Sequence, residues 1–495
     1  MCLYYSIYQY FIPNGILRLV CFFLTRILCS IKLTNLQLRK KNVSLQINKI
    51  HTNKIQLSIK MAHIKRKIED TLLRWKENHN SLPLMLVGAR QTGKTFIINK
   101  FCDNNYGQKI EINFLQNDVF KSFFDSSLNP QDIIENIALF FHTTINPENT
   151  VIFFDEIQEC EKAIASLKFF AESKIRYNII SAGSLLGVKI NRMKTAFPVG
   201  KVQIEYMYPI DFEEFLWAID EKMLSDKIRH NFVENKTFIQ VIHEKTLSLY
   251  KNFLFLGGMP AVISNYVDNG KEITAVSSKI KDDIITGYMA DMAKYAENIN
   301  SLKILKVYQS VKEQLAQEQR KFRYKLVEEK ANKQKFETAI EWLIQAGLVL
   351  FCPHVLNPVR PLQSDKNNKI FKLYLSDVGL LVHLAGIKPF DIFQNKDFKY
   401  IGALTENFVA QIFTSKNEKL HYWASGNEAE IDFLLSQEIG IVPCEVKSTD
   451  NVKSKSLSVY ISKYQPQYSI RISAKKFGFE NGIKSVPLYA VHCIE

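Results

Sequence analysis

The fold of this chain is decided by Gly88-Ala89-Arg90-Gln91-Thr92-Gly93-Lys94-Thr95, which fits the phosphate-binding pattern G-x-x-x-x-G-K-[ST]. Leu84-Met85-Leu86-Val87 before it is predicted to be a short buried strand, and Phe96-Ile97-Ile98 after it begins a helix. That context suits the motif, because glycines let backbone N–H groups face an anion at a helix N-terminus. The stretch therefore predicts a nucleotide-binding loop, with a chance match in a tight turn as the alternative.

Two side chains of this loop have predicted roles in binding ATP and Mg²⁺. Lys94 would contact the β- and γ-phosphates, and Thr95 would hold the metal ion. All residues from Gly88 to Thr95 are nucleotide-binding candidates. The sequence does not distinguish ATP from GTP, because no motif that reads the base is visible.

Length and composition predict a soluble globular protein with about three domains. The chain has 495 residues, of which 46% are hydrophobic and 23% are charged, and these are ordinary values for such proteins. Its net charge is +14, but residues 1–60 hold nine basic residues and no acidic one. Subtracting those nine charges leaves +5 for the other 435 residues, so the overall basicity says little about the partners of the folded body.

Residues 1–60 differ from the rest of the chain. The apolar stretch from Ile16 to Cys29 is interrupted by Arg18 and Arg26, which makes it too short and too charged for a membrane span. It lacks the basic start and the small-residue cleavage site of a signal peptide. We interpret the segment as an upstream stretch wrongly included in the reading frame, with a weak anchor or a disordered arm as alternatives. No stable membrane insertion is expected.

Strands and helices alternate from Leu84 onward, which predicts a parallel sheet covered by helices. A helix with Ile64, Ile68, Leu72 and Leu73 on one face comes first. The predicted strands are 109–114, 151–154 and 177–180, and the predicted helices are 132–142 and 161–172. The eight cysteines form no C-x-x-C pair, which indicates reduced thiols in a cytoplasmic protein.

The second half of the chain changes character. Residues 212–300 are predicted to be mostly helical, with a break at 256–260. Helices at about 303–316 and 334–347, followed by a strand pair at 348–351 and 371–375, favour a winged helix-turn-helix. A further helix, Leu404 to Phe413, precedes alternating strands to the end of the chain.

Polar side chains follow two of the predicted strands of the parallel sheet. Asp155 and Glu156 come directly after four apolar residues, so Asp155 would hold the Mg²⁺ shell and Glu156 would polarise the attacking water. The alternative is a strand end followed by an acid at a helix N-terminus. Ser184 ends the next strand and would lie between the loop and Asp155, where it would sense the γ-phosphate or orient water. Its alternative is an ordinary N-cap serine.

As a set, these segments resemble one prokaryotic family of AAA+ ATPases whose members carry a C-terminal domain of unknown function related to restriction endonucleases. Further matching segments are Ile157-Gln158, Phe197-Pro198-Val199-Gly200-Lys201-Val202, Tyr208-Pro209, Phe212-Glu213-Glu214-Phe215, Gly257-Gly258-Met259-Pro260, Phe371 to Leu381 and Leu404-Thr405-Glu406-Asn407. The resemblance covers about 62–495. Lys201 stands where the family has arginine, so an arginine-finger role there is compromised, because lysine is only a point charge. Arg192 is a substitute candidate.

The resemblance implies an α/β fold class in successive domains. The predicted division is 1–60, an atypical basic extension; 61–215, a P-loop AAA+ ATPase core; 216–300, a helical lid; 301–392, a winged helix; and 393–495, an α/β restriction-endonuclease-like domain.

The last of these domains contains a second candidate site. Glu430 to Leu435 is predicted to be one strand, and Ile441 to Lys447 its neighbour after a turn. Alternation puts Glu445 and Lys447 on one face. Asp432 and Glu445 would share Mg²⁺, Lys447 would stabilise the attacking hydroxide or the phosphorane charge, and Glu406 on the preceding helix would assist. The alternative is a solvated strand face with an ion pair.

A basic cluster surrounds the predicted winged helix and suggests DNA as a partner, because such side chains contact phosphates. Its members are Arg320, Lys321, Arg323, Lys325, Lys333 and Lys335. The alternatives are a solvated helical surface balanced by Glu328, Glu329 and Glu337, or a protein-docking unit.

These observations predict an ATP-driven, DNA-associated protein with a Mg²⁺-dependent nuclease-like domain. The competing hypothesis is a regulatory NTPase switch whose C-terminal domain is inactive and only binds DNA or protein. A membrane-tethered ATPase rests on residues 1–60 alone, and assembly of several copies of the chain remains a further partner hypothesis.

Overall fold

The computed structural model describes residues 64–78, 82–184, 187–188, 197–295, 298–362, 366–395, 397–426, 428–450 and 455–495. The interpretations of residues 1–60 and of Arg192 lie outside the described residues. The chain from Ile64 to Glu495 forms one compact unit. Within the described part of the chain, no helix is both long enough and apolar enough to cross a membrane.

The predicted alternation builds a sheet of parallel strands. Across the sheet the order is β2 (Gln108–Asn113), β3 (Thr150–Asp155), β4 (Asn178–Gly183), β1 (Leu84–Val87) and β5 (Gln203–Tyr206). Strands β1 and β3 are buried along their whole length, because helices cover both faces of a parallel sheet. The helices are α1 (Ile68–Glu77), α2 (Lys94–Asn105), α3 (Pro130–Phe140) and α4 (Glu161–Glu172).

The buried face of α1 differs from the prediction. Leu72 and Trp75 are buried, whereas Leu73 is 41% exposed. Successive helix residues are rotated by about 100°, so packing that buries Leu72 turns Leu73 toward solvent.

The region after the sheet is helical, as predicted, and its break falls where α7 ends at Leu256 and α8 begins at Pro260. Gly257 lies in this break with φ +77°, in the left-handed region that favours glycine. The helices are α5 (Phe212–Ala218), α6 (Lys222–Glu234), α7 (Gln240–Leu256), α8 (Pro260–Asp268) and α9 (Ser278–Tyr295).

Two helices and an antiparallel hairpin follow. They are α10 (Asn298–Ala316), α11 (Lys333–Gln345), β6 (Val349–Val355) and β7 (Lys366–Leu375). The chain continues through α12 (Val378–Leu384), α13 (Pro389–Phe393), α14 (Ile401–Ser415), β8 (Tyr422–Ser425), β9 (Ala429–Ile431), β10 (Phe433–Gln437), β11 (Gly440–Val446), α15 (Lys455–Tyr464), β12 (Ser469–Ser473), β13 (Gly478–Glu480) and β14 (Ile483–Pro487).

The hairpin and the C-terminal region share a sheet. Its order is β7-β6-β8-β9, with His354 of β6 paired to Tyr422 of β8. This sheet therefore contains strands from both sides of the domain boundary that was expected at residue 392. The other C-terminal strands form a separate sheet of order β10-β11-β12-β14-β13.

The single strand predicted from Glu430 to Leu435 is wrong. β9 ends at Ile431 and pairs with β8, whereas β10 begins at Phe433 and pairs with β11. Asp432 lies where the chain passes from one sheet to the other, and its carboxylate accepts the backbone N–H of Val446 at 2.8 Å. This hydrogen bond links Asp432 to the end of β11 at the point where the chain changes sheet.

Candidate functional site

Three strand ends meet at one edge of the parallel sheet. β4 lies between β1 and β3, so the loop after β1, Asp155 at the end of β3 and Ser184 after β4 are neighbours. The sequence predicted this position of Ser184 between the loop and the Asp155 strand. The arrangement places the carboxylates beside the glycine loop.

The backbone of the glycine loop adopts conformations that require glycine at two positions. Gly88 has φ +153°, and a Cβ there would lie 2.2 Å from the carbonyl oxygen of Met207. Gly93 has φ +95° and precedes the first residue of α2. The hydroxyl of Thr92 donates to the carbonyl of Ala89 at 2.9 Å, which fixes the curl of the loop.

Lys94 is held inside this curl. Its Nζ donates to the carbonyl oxygens of Gly88 at 3.0 Å and Ala89 at 2.8 Å. Burial lowers the pKa of Lys94 to about 8, against the raising effect of Glu156 and Asp155. A buried ammonium that bonds only to neutral carbonyls is well placed for an exchange of those bonds for phosphate oxygens.

Thr95 and Asp155 lie together as the predicted metal-binding pair. The Thr95 hydroxyl is 3.1 Å from Oδ1 of Asp155, and the Asn113 amide donates to its Oδ2 at 2.9 Å. Burial, and then the charge of Glu156, raise the pKa of Asp155 to about 6. A hydroxyl and a carboxylate are oxygen ligands that Mg²⁺ prefers, and a buried carboxylate beside another acid favours a bound cation, so these residues fit the ion.

Glu156 and Ser184 form the next contact. The Ser184 hydroxyl donates to Oε2 of Glu156 at 3.3 Å, and the Gln158 amide donates to the same oxygen. Glu156 has φ +51°, a left-handed backbone that is rare outside glycine, asparagine and aspartate. Such strain concentrates at functional sites, and this residue directly follows the last residue of β3.

The loop also contacts the helical region. Arg90 donates to Asp291 of α9 at 2.6 Å, and the Tyr288 hydroxyl donates to the carbonyl of Arg90 at 3.1 Å. Burial raises the pKa of Asp291, while Arg90 lowers it. Sequence reasoning missed both Asp291 and Asn113. Asn113 ends a strand, so the rule that found Ser184 was able to find it, whereas Asp291 gave no signal.

Lys201 lies apart from this cluster. Its Nζ pairs with Glu172, at the end of α4, at 3.0 Å, and both side chains are partly exposed. An ordinary surface ion pair of this kind contributes little.

The C-terminal acids surround a buried lysine. Nζ of Lys372 lies 2.9 Å from Glu406, 2.6 Å from Glu430 and 3.9 Å from Asp432. Glu406 also pairs with Arg320 and accepts the hydroxyl of Tyr374. Although burial works in the opposite direction, Arg320 and Lys372 lower the pKa of Glu406 to about 2. Burial, and then Glu406, raise the pKa of Asp432 to about 7.

β11 ends at Val446, one residue before the predicted end, and Lys447 just after it pairs with Glu445 of the strand, with Nζ and Oε1 3.1 Å apart. Glu445 is only 2% exposed, so the alternative of a solvated face does not hold for it. Among the described residues, no group of three or more His, Cys, Asp or Glu side chains is arranged to hold a metal ion. The predicted catalytic roles of Asp432, Glu445, Lys447 and Glu406 stay predictions.

Some side chains of the basic cluster are ion-paired, whereas others are exposed with no ion pair among the described residues. Arg320 is ion-paired to buried Glu406 and is therefore not available to DNA. Lys333 pairs with Glu337 at 3.1 Å, and Lys335 pairs with Glu328. Arg323 and Lys325 are exposed and remain candidates for phosphate contacts.

Comparisons with models of protein families assign the region that contains the P-loop. Residues 80–216 match the family model described as AAA domain. Residues 247–391 and 401–491 match models described as domain of unknown function, DUF8612 and DUF4143. The comparison with curated protein sequences gave no match. Residues 80–216 thus match an AAA domain, which agrees with that part of the resemblance, whereas ATP hydrolysis and the relation to nucleases stay predictions.

Solved structures give only distant likenesses. The ORC2 protein of Aeropyrum pernix, in ADPNP–ADP complexes, is 11% identical with a TM-score of 0.35, over 70% of this chain and 95% of that one. The ORC1 protein of Aeropyrum pernix, in complex with DNA, is 10% identical with a TM-score of 0.30, over 66% and 93%. A point variant of the RuvB protein of Thermotoga maritima is 14% identical with a TM-score of 0.27, over 58% and 89%. At TM-scores this low, these likenesses carry no argument about activity.

Proposed function

We propose that this chain hydrolyses ATP at the P-loop site and acts on or with DNA, with the nucleotide cycle controlling a nuclease-like C-terminal region. The observation that carries the ATPase proposal is the gathering of Lys94, Thr95, Asp155 and Glu156 at one sheet edge. Each residue type suits one part of phosphoryl transfer.

The chemistry of the site follows from its side chains. Lys94 exchanges its loop carbonyls for phosphate oxygens, and its charge attracts them. Thr95 and Asp155 would hold Mg²⁺, which neutralises charge on the phosphates when bound. Glu156, whose carboxylate accepts the Ser184 hydroxyl at 3.3 Å, takes the proton of the attacking water.

Nucleotide binding is tested with Lys94→Ala. Loss of the ammonium should abolish ATP binding or weaken it severely, because the phosphates lose their cation. Lys100→Ala is the matched control, since Lys100 lies on the same helix but pairs with Glu69 at 3.0 Å. Calorimetric titration with ATP measures both variants, and equal affinity in Lys94→Ala and wild type would refute this site.

Two hypotheses remain for the C-terminal region. The regulatory one, in which this region binds DNA or protein without cutting it, is supported by Lys372, because an internal cation already lies among the acids. In this arrangement the acids do not fit a resident metal ion.

The second candidate is a phosphodiesterase, and the observation that favours it is the Glu445–Lys447 pair beside Asp432. Nicking of plasmid DNA with Mn²⁺, by wild type and by Asp432→Ala and Glu445→Gln, decides between the two. Cleavage that both variants lose supports the phosphodiesterase, and absence of cleavage in wild type supports the regulatory hypothesis.

A further inference from the structure

We infer that Lys372 takes the place of a divalent cation in the C-terminal region, so that the acids Glu406, Glu430 and Asp432 form a metal-free ionic centre. This inference rests on the nuclease-like part of the proposed function and is independent of the ATPase part.

The acids come from separate segments, and they converge on one point. Glu406 lies on α14, Glu430 on β9 and Asp432 between β9 and β10. Their oxygens are 2.9, 2.6 and 3.9 Å from the same lysine nitrogen. Carboxylates this close repel one another unless a cation lies among them. In oxygen-rich sites that cation is often divalent, but here it is the ammonium of Lys372.

The position of the Lys372 side chain is restricted by its burial and by the strand to which it belongs. Lys372 is fully buried and belongs to β7, where it is paired with Cys352 of β6. The same sheet continues through β8 to β9, which carries Glu430. Because the side chain is fully buried, moving the ammonium out of the centre requires a change in the packing around β7.

A second cation supports the same centre. The guanidinium of Arg320 pairs with Glu406, and a side chain at Gly402 would meet that guanidinium, since a Cβ there would lie 2.8 Å from its Nη2. The Tyr374 hydroxyl donates to Glu406 as well. Two cations and a hydroxyl thus face three carboxylates, which leaves little excess negative charge to attract a divalent ion.

Removal of the lysine should leave the three acids without their central cation. In Lys372→Met the acids lose their central cation, and an unpaired buried charge is strongly destabilising. A hard divalent ion with oxygen ligands should then restore what the lysine supplied. The variant should melt several degrees below its parent, in line with the size of that penalty, and Mn²⁺ should recover much of the difference.

The experiment measures melting temperature and calorimetric heats during Mn²⁺ titration without nucleotide. All chains carry Asp155→Asn, which removes the metal-binding carboxylate of the P-loop site. Lys279→Met is the matched control, because Lys279 is exposed and lies outside the centre. The parent and the control should not respond to Mn²⁺, whereas Lys372→Met should bind it and gain stability.

A second variant keeps the test decisive if Lys372→Met does not fold. Lys372→Met with Glu406→Gln removes one charge of each sign, so it should be more stable than Lys372→Met alone and should not need Mn²⁺. The inference is overturned if the parent binds Mn²⁺ and Glu406→Gln abolishes that binding, or if Lys372→Met is as stable as its parent and ignores Mn²⁺. ATP binding by chains with intact Asp155, measured in parallel, reports separately on the ATPase proposal.

Discussion

At the scale of single residues, Asp155 shows how neighbours prepare a metal-binding group. Its carboxylate is held by Thr95 and Asn113, at 3.1 and 2.9 Å. It is otherwise enclosed, and burial raises its pKa to about 6. Orientation by such partners commonly decides how well a ligand works.

Asn113→Ala should weaken the affinity of the site for Mg²⁺, so that ATP hydrolysis needs a higher Mg²⁺ concentration. The fold should stay intact. Loss of an outer partner typically costs about 10- to 100-fold in metal affinity or activity. The readout is the Mg²⁺ concentration at half-maximal hydrolysis, together with ATP affinity measured without metal, which should not change. Asn105→Ala is the control, because its amide only bonds to the carbonyl of Phe101. An unchanged Mg²⁺ dependence would remove Asn113 from the site.

Sequence reasoning reached the P-loop residues because their positions follow from a local rule. Asp155 and Ser184 each come at the end of a parallel strand, and such ends meet at one edge of the sheet. Lys372 was out of reach, because its partners Glu406 and Glu430 are distant in sequence and meet it only through the packing of α14 and β9 on β7. A lysine within an apolar strand was its only signal.

At the scale of elements, two of the matching sequence motifs, 257–260 and 371–381, pack against each other, and Ile210 packs against the first of them. Gly258 donates its N–H to Asp377 at 2.5 Å, and its carbonyl accepts the N–H of Ile210 at 2.7 Å. Gly379 approaches the carbonyl of Leu256 so closely that a Cβ would lie 2.1 Å away. These glycines are required because backbone passes against backbone.

Gly258→Ala should destabilise the chain by about 3 kcal/mol or more, beyond the usual cost of overpacking. The added Cβ would lie 2.0 Å from the backbone oxygen of Ile210, which is not the end of a flexible side chain. Gly478→Ala is the control, since its Cβ would meet only Cβ of Ser485, at 4.0 Å. Thermal unfolding compares the two, and equal melting temperatures would contradict this packing.

Charge reversal at Arg323 and Lys325 tests the DNA hypothesis for the hairpin region. If both contact phosphates, the double variant should bind DNA more weakly whatever its sequence, and its salt dependence should flatten by about one unit per lost contact. Reversal of exposed Lys222 and Lys227 on α6 is the charge-matched control. Binding is measured at several salt concentrations, and an unchanged slope would point to protein docking instead.

Most elements were predictable from periodicity, and the failures have a physical cause. The helix from Glu161 to Glu172 has the predicted ends. The break at Asp432 was hidden, because apolar residues continue on both sides of it and only pairing with β8 and β11 separates the two strands.

At the scale of the whole molecule, the P-loop lies beside the residues that follow α11, since Gly88, Ala89, Ala346 and Gly347 line one cavity. A Cβ at Gly347, after α11, would lie 3.7 Å from the backbone nitrogen of Ala89. Through β6 the same region joins the sheet that contains β8 and β9. The sequence predicted a hairpin followed by a C-terminal region, but it did not predict that the two share a sheet. Strand pairing between distant segments has no signature in composition or spacing.

We expect the P-loop site to hydrolyse ATP with Glu156 as its base. Phosphate release and ATP binding, measured together in wild type and Glu156→Gln, test it most directly, with Glu159→Gln as a control for a neighbouring acid. Glu156→Gln should bind ATP like wild type but hydrolyse it about 10²- to 10⁴-fold more slowly, because an amide cannot accept the proton of water. Equal hydrolysis by Glu156→Gln and wild type, or a wild type that binds no ATP, would contradict it.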